Sequence, residues 1–280
     1  MANIFTFENN NCNLTVKNIH CLNLDYTLDC GQSFRWEKNN VDHWCAVVNG
    51  KYAEISQEAS DTITFYNCTK SEFNNFWTNY FDLNRDYDEI LNCYKEDKYL
   101  SRAINEYYGI RILNQDSWEA LCSFIISQNN NIPRIKSIID RLCENYGDKL
   151  PNGTYSFPSA ERLAKLSPED LSPIRAGFRN KYIIDAARKV ASGEVDLEAI
   201  KKLPLDKAEA ELLKIKGVGP KVAQCALLYG CSKVDAFPID VWVKRIISEL
   251  YPSGLPKCAC GTKGIAQQYL FHWRRNTNSI

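Results

Sequence analysis

Apolar residues recur at two different periods along the chain, and the change falls near residue 115. Before it, alternating and aromatic stretches such as CGQSFRW, HWCAVVNGKYAEISQ and DTITFYNCT predict strands, and Asn49-Gly50 predicts a two-residue hairpin turn. Helical spacing appears in KSEFNNFWTNYF and KYLSRAINEYYG, and it dominates from SWEALCSFIISQ onwards. The pattern predicts a sheet with some helices, followed by a bundle of short helices.

Polar residues, prolines and glycines mark the ends of the predicted helices. Asp116 with Glu119 resembles a capping box that opens SWEALCSFIISQ. Pro133 suits the first helical position of PRIKSIIDRLCENY, which Gly147 ends. Asp240 is placed to cap VWVKRIISELY.

These elements together predict an α+β fold. Residues 1–114 are expected to form an N-terminal domain with an antiparallel, twisted β-sheet and a few helices. Residues 115–280 are expected to form a mostly helical part packed on that sheet. A chain of 280 residues is long enough for one large or two medium domains, each with its own core.

Composition and charge narrow the class of protein only slightly. Apolar residues make up 45% of the chain and charged residues 24%, as in ordinary globular proteins. No apolar run approaches the roughly 20 residues that span a bilayer, and the N-terminus lacks the pattern of a signal peptide. We therefore expect a soluble, cytoplasmic protein. The 34 basic and 34 acidic residues balance, so any binding of nucleic acid must depend on local features.

The chain has twelve cysteines, but most of them stand alone. Only Cys258 and Cys260, in KCACG, lie close together, and paired CxxC spacing of the kind that holds zinc is absent. The spacing favours reduced thiols packed as small apolar groups. The alternative interpretation is a disulfide or a weak metal site at Cys258 and Cys260.

The stretch IKGVGPKVAQCALLYG breaks one helix and starts another within three residues. Gly217 and Gly219 allow a tight turn, and Pro220 suits the first position of the next helix. Unpaired N–H groups at such a helix start, with its positive end, suit a phosphate oxygen. The alternative is a helical hairpin, about 207–229, that binds no ligand.

With its neighbours, this hairpin resembles the helix-hairpin-helix DNA glycosylase superfamily. Asp240 follows Lys221 by nineteen residues, in AFPIDVWVKRI. CGQSFRW, FIISQNNNIPRIKSIIDRLC, AGFRNKYI and AQQYLF occur in the order found in 8-oxoguanine DNA glycosylases. The resemblance covers about residues 25 to 275, and the ordered set is far more specific than the hairpin alone.

The resemblance implies catalysis by Lys221 and Asp240. A free lysine has a pKa of about 10.4, and desolvation beside a positive helix end would favour the reactive neutral amine. The amine of Lys221 would attack the sugar, and the carboxylate of Asp240 would stabilise the developing positive charge. The alternatives are a solvated surface lysine and a simple helix cap.

The resemblance also implies residues that hold the damaged base. Gly31 would present its carbonyl to the hydrogen that 8-oxoguanine carries on N7, where guanine has a lone pair. The other members of the expected pocket are Cys225, Gln267 and Phe271. The alternatives are a strand bulge at Gly31, core packing for Cys225 and Phe271, and a surface amide for Gln267.

A further group is expected to contact DNA and the base left unpaired in the opposite strand: Asn129, Asn131, Arg134, Phe178 and Arg179. Helix caps and solvated arginines are the alternatives. Two positions depart from the family pattern, which puts opposite-base selectivity and phosphate contacts in doubt. Phe178 replaces a common tyrosine, and Trp242 replaces a common phosphate-contacting histidine.

The expected activity is excision of 8-oxoguanine from duplex DNA through a lysine Schiff base, followed by cleavage 3′ to the abasic site. Removal of an alkylated purine and a non-enzymatic DNA-holding hairpin are the alternatives. Since KCACG does not match the four-cysteine loop of related endonucleases, no iron–sulfur cluster is expected. The resemblance also suggests a monovalent cation on the hairpin carbonyls. We expect a monomer that is associated with the nucleoid if the source is prokaryotic.

Overall fold

The computed structural model of the chain describes residues 5–10 and 12–277. Its N-terminal part contains a six-stranded antiparallel sheet with the order β1-β2-β6-β5-β4-β3. The strands are β1 (Thr6–Asn10), β2 (Asn13–Lys17), β3 (Glu37–Lys38), β4 (Trp44–Val48), β5 (Lys51–Ala59) and β6 (Thr62–Phe65). Residues 1–4, part of the N-terminal stretch in which no signal peptide is expected, lie outside the described residues.

The β4–β5 hairpin turns at the predicted position. Asn49 and Gly50 have φ values of 49° and 72°, the pair of positive angles that a two-residue hairpin turn of the primed type requires. The prediction at Asn49-Gly50 is thus confirmed.

The strand predicted at residues 30–36 is wrong, because this segment is a loop. Gly31 has a φ of +81°, which breaks an extended path. The buried amide of Gln32 donates to the carbonyls of Thr27 and Arg111, each at 2.8 Å. Side-chain hydrogen bonds therefore fix the segment in place of a strand ladder.

Helices make up most of the rest of the described chain. They are α1 (Leu24–Leu28), α2 (Lys70–Glu72), α3 (Thr78–Tyr80), α4 (Tyr87–Tyr94), α5 (Lys98–Glu106), α6 (Ser117–Ile126), α7 (Ile132–Tyr146), α8 (Ala160–Ala164), α9 (Asn180–Ala191), α10 (Leu197–Lys202), α11 (Leu205–Leu212), α12 (Pro220–Gly230), α13 (Val241–Leu250) and α14 (Lys263–Asn276). A π-helical segment, Phe73–Trp77, joins α2 to α3. The expected α+β fold is confirmed.

The predicted caps are present at α6 and α13. The Asp116 carboxylate accepts from the Glu119 N–H at 2.8 Å, and Asp240 accepts from the Val243 N–H at 2.7 Å. Helix α7 differs, because Asn131 caps it and Pro133 is its second residue rather than its first.

Two apolar cores hold these elements. One lies under the sheet and contains Leu14, Ile55, Phe65 and Trp77, while the other fills the helical part. Helices α4 and α5 contribute to the helical core, and α5 packs against α14. This second core positions α6, α12 and α14, which carry the candidate site.

All twelve cysteines are free thiols, including Cys258 and Cys260. Among residues 5–10 and 12–277, no group of three or more His, Cys, Asp or Glu side chains is placed to hold a metal ion. Within the same residues, no helix combines the length and apolar character needed to cross a bilayer.

Candidate active site

A turn of residues 213–219 joins α11 to α12 in a helical hairpin. The first helix was expected to continue to Gly217, but it ends at Leu212, because the N–H groups of Ile215 and Val218 form turn hydrogen bonds to Leu212 and Ile215. Gly217 has a φ of +80°, and a β-carbon there would overlap the ring of Tyr182. Gly219 is the N-cap of α12, has an extended conformation and faces open space. No side chain of the described residues caps the first N–H groups of α12. These N–H groups can therefore donate hydrogen bonds to a phosphate oxygen.

Lys221 lies on the first turn of α12 and points toward α6. Its Nζ donates to the hydroxyl of Ser127 at 3.1 Å and lies 5.4 Å from the centre of the Phe124 ring. Within the described part of the chain it forms no ion pair with a carboxylate. A half-buried amine is thus held by a neutral hydroxyl and an aromatic face.

The charges of Lys221 and Asp240 both affect the pKa of the Cys225 thiol. Burial raises the pKa of the Cys225 thiol to about 11; the charge of Lys221 opposes this rise and that of Asp240 adds to it. Cys225 is therefore an uncharged thiol at neutral pH. Asp240 is half-buried, and its cap on α13 fixes the carboxylate.

Two further aromatic rings pack against Phe124, the ring that lies next to the Lys221 amine. The ring of Tyr229 stacks on Phe124 at 5.2 Å between centroids, and Phe34 meets Phe124 edge-on at 5.7 Å. All three rings are buried. Helix α12 is thereby fixed against α6 along the face that carries Lys221 and Cys225.

The expected base-pocket residues Gly31 and Phe271 lie together. A β-carbon at Gly31 would lie 3.8 Å from Cε1 of Phe271 and 3.7 Å from Cδ1 of Ile132. Gln267, one helical turn before Phe271, is only 7% exposed. Its Oε1 has no hydrogen-bond partner among the residues that the structure describes, which leaves a buried acceptor to be satisfied.

The expected contacts to the opposite strand have different environments. Arg134 and Asn129 are exposed, and Asn131 caps α7. Arg179 is only 2% exposed, and it donates to the carbonyls of Gln128, Asn129 and Ala176. Burial and the nearby charge of Arg134 lower the pKa of Arg179. Its side chain therefore ties the loop after α6 to α9.

Phe178 projects from the protein beside the hairpin. It is 50% exposed, its ring lies 4.5 Å from the guanidinium of Arg179, and it meets Tyr182 edge-on at 5.9 Å. Tyr182 in turn packs under Gly217. An exposed aromatic ring is thus connected directly to the turn that can bind phosphate.

The residues around Asp240 form an exposed apolar edge. Ile239, Val241 and Trp242 are all exposed, and Arg245 lies 5.7 Å from the ring of Trp242. Trp242 offers one neutral N–H where a charged side chain would bind phosphate more strongly.

Sequence reasoning did not single out Phe124 and Ser127, although both contact Lys221. They are three residues apart in FIISQ, on the face of α6 that meets α12. This i, i+3 spacing places two side chains on one helix face and is the signal that points to them.

Family models match almost the whole chain in two consecutive segments. Residues 14–121 match the 8-oxoguanine DNA glycosylase N-terminal domain, and residues 122–256 match the HhH-GPD superfamily of base excision DNA repair proteins. The structure described as MBOgg1 in complex with a low affinity DNA ligand superposes with a TM-score of 0.92 and 38% identity, covering 98% of this chain and 99% of that one. The chain belongs to the 8-oxoguanine DNA glycosylase family.

Two further members of this family match the chain closely. The Clostridium acetobutylicum 8-oxoguanine glycosylase/lyase, bound to duplex DNA with cytosine opposite 8-oxoG, superposes with a TM-score of 0.90 and 37% identity over 98% of this chain and 99% of that one. The N-glycosylase/DNA lyase OGG1 of Arabidopsis thaliana is 30% identical over 243 residues, which are 80% of this chain and 65% of that protein. The chain spans about two thirds or less of the length of its first curated relatives.

The hairpin of this 8-oxoguanine DNA glycosylase family member tolerates a side chain at only one of its two glycines. We predict that Gly217→Ala lowers stability by about 2 kcal/mol or more, because it combines a positive φ with overlap against Tyr182. Gly219→Ala is the matched control and should change stability by less than about 1 kcal/mol. Chemical denaturation of both variants measures this, and equal losses would contradict the assignment of the two positions.

Proposed function

We propose that this protein is a bifunctional DNA repair glycosylase and lyase that removes 8-oxoguanine from duplex DNA and then cuts the strand. The observation that carries the proposal is the position of Lys221. Its amine lies at the hairpin turn and donates a hydrogen bond to the neutral Ser127 hydroxyl, and the charges of both Lys221 and Asp240 affect the pKa of Cys225 on the same helix as Lys221. Family membership and the relatives' names support the same activity.

The amine of Lys221 would act as the nucleophile. Its lone pair forms a bond to C1′ of the damaged nucleotide, and the C1′–N9 bond breaks, so that the base leaves with the electron pair and takes up a proton. Opening of the sugar ring gives a protonated Schiff base on Nζ. This cation makes a C2′ proton acidic, and loss of that proton expels the 3′ phosphate oxygen and cuts the strand.

Asp240 would stabilise the positive charge that develops on the sugar. A carboxylate held by its cap to the Val243 N–H needs little reorganisation, which favours electrostatic stabilisation of the transition state. Cys225, as a neutral thiol, would supply an apolar wall beside the amine and the base.

The base pocket would be formed by Gly31, Gln267 and Phe271. An extruded base would stack on Phe271, and a buried amide of Gln267 would hydrogen-bond its Watson–Crick edge. The carbonyl of Gly31 would accept from N7–H of 8-oxoguanine and repel the lone pair of guanine. This one hydrogen bond would thereby allow the enzyme to distinguish 8-oxoguanine from guanine.

The DNA would be held from the hairpin and from the loop after α6. Gly217 and Gly219 would present backbone N–H groups to a phosphate, and a monovalent cation could bind the hairpin carbonyls. Asn129 would fill the space that the extruded base leaves in the base stack. Arg134 and Arg179 would donate hydrogen bonds to the unpaired base of the opposite strand, and Phe178 would wedge beside that base. Since Arg179 donates to backbone carbonyls in this structure, it would have to share those donors with the base.

Asn131, the cap of α7, would contribute to the DNA contacts through the backbone of its loop. We also propose that the protein is a monomer and acts in the cytoplasm, at the nucleoid in a prokaryote. The division into residues 1–114 and 115–280 remains our proposal for its domains.

Loss of the amine should abolish both chemical steps. We predict that Lys221→Gln lowers the single-turnover rate of 8-oxoguanine excision by at least about a thousandfold. Lys202→Gln removes an exposed lysine on α10 and should leave the rate unchanged. Excision assays on a labelled duplex measure both rates, and a Lys221→Gln protein of native rate would refute the lysine mechanism.

The charge of Asp240 can be tested separately from its cap. We predict that Asp240→Asn slows excision by about a hundredfold while stability changes little, because asparagine caps helices about as well as aspartate. Asp196→Asn makes the same change at the cap of α10 and serves as the control. The proposal for Asp240 fails if its variant is folded and excises the base at the native rate.

A further inference from the structure

The loop around Gly31 needs an external restraint to hold its carbonyl in one direction. Glycine has wide backbone freedom, and among the described residues a β-carbon at Gly31 would make only ordinary contacts, to Ile132 and Phe271. A rotation of either peptide plane next to Gly31 would turn a carbonyl away from its place. Steric contact alone therefore does not fix the acceptor on which base discrimination would depend.

Hydrogen bonds from distant elements hold both carbonyls that flank Gly31. The amide of Gln115 donates to the Gln32 carbonyl at 2.7 Å, and the amide of Gln268 donates to the Cys30 carbonyl at 2.9 Å. Gln115 precedes α6, whereas Gln268 lies on α14, beside the expected base contact Gln267. Hydrogen bonds thus restrain the loop on both sides of Gly31.

Tyr229 fixes the orientation of the Gln268 amide. Its hydroxyl donates to Oε1 of Gln268 at 2.6 Å, which leaves the NH₂ group of that amide directed at Cys30. Tyr229 is 5% exposed and Gln268 is 2% exposed, so water does not compete for these bonds. Burial raises the pKa of Tyr229 far above its ordinary value, and the hydroxyl remains a donor.

The same tyrosine belongs to the face of α12 that carries the amine. Lys221, Cys225 and Tyr229 are spaced four residues apart, and the Tyr229 ring stacks on Phe124 beneath Lys221. Hydrogen bonds therefore connect α12, which carries the proposed nucleophile, through Gln268 of α14 to the Gly31 loop.

We propose that Tyr229 and Gln268 are positioning residues that orient the Cys30–Gly31 peptide and thereby set where the Gly31 carbonyl meets the base. The inference rests on the proposed function, since it assigns these residues to recognition of 8-oxoguanine. The proposal predicts an effect on base excision but not on cleavage of a preformed abasic site, because such a site contains no base for this loop to contact.

Two single-turnover rates test the proposal: excision from a duplex with 8-oxoguanine opposite cytosine, and cleavage of a duplex with a preformed abasic site. Tyr229→Phe removes only the hydroxyl, and we expect excision to fall about tenfold while abasic-site cleavage stays within about twofold. Gln268→Met removes the amide at similar volume, and we expect it likewise to slow excision while leaving abasic-site cleavage nearly unchanged.

Tyr94→Phe is the matched control. The Tyr94 hydroxyl is also buried and donates to the carbonyl of Thr262, the N-cap of α14, but that bond does not lead to the Gly31 loop. We expect this variant to keep both native rates, with a loss of melting temperature like that of Tyr229→Phe.

Equal losses of both rates in Tyr229→Phe and Gln268→Met would show a general structural role and overturn the proposal. Unchanged excision in both variants would overturn it as well. The native protein serves as the test of the proposed function itself. If it fails to excise 8-oxoguanine, that function is wrong, whatever the ratio of rates in the variants.

Discussion

The candidate site depends on the close packing of helix α12 against helix α6. At one end Gly230 lies so near α6 that a β-carbon would come within 2.9 Å of that of Ala120, and the Ser117 hydroxyl donates to the Gly230 carbonyl at 2.7 Å. At the other end Lys221 reaches Ser127. Because this helix pair is closely packed and buried, the amine is held at the hairpin turn, where backbone N–H groups can bind a phosphate. The contact between these two helices therefore sets the position of the proposed nucleophile relative to the proposed phosphate site.

The proposed base pocket and the amine of Lys221 are built on different parts of the chain but share one core. Gly31 comes from the loop before the sheet's third strand, Gln267 and Phe271 come from α14, and Lys221 comes from α12. The buried amides of glutamine residues connect these parts, since their two-ended hydrogen bonding can link a carbonyl to a hydroxyl or N–H. A buried polar network of this kind is costly when broken, and it can therefore hold a flexible glycine loop in one arrangement.

Much of this arrangement follows from sequence, because local rules determine it. The Asn49-Gly50 turn, the caps at Asp116 and Asp240 and the start of α12 at Pro220 each depend on residues within one turn of chain. The segment 30–36 was predicted wrongly because tertiary contacts decide its path: alternation suggests a strand, but Gln32 bonds to residues far along the chain. The inward bonding of Arg179 likewise depends on long-range packing, which no local pattern encodes. The i, i+3 spacing of Phe124 and Ser127 places them on one helix face, but only long-range packing brings that face to Lys221.

The central claim is that the side-chain amine of Lys221 forms the covalent bond to the sugar. Borohydride reduces a Schiff base to a stable amine, so the native protein can be trapped on a duplex containing 8-oxoguanine, digested and mapped by mass spectrometry. The account predicts that the nucleotide remnant is found on Nζ of Lys221. Absence of an adduct, or a remnant on another lysine of the hairpin region such as Lys216, would contradict it.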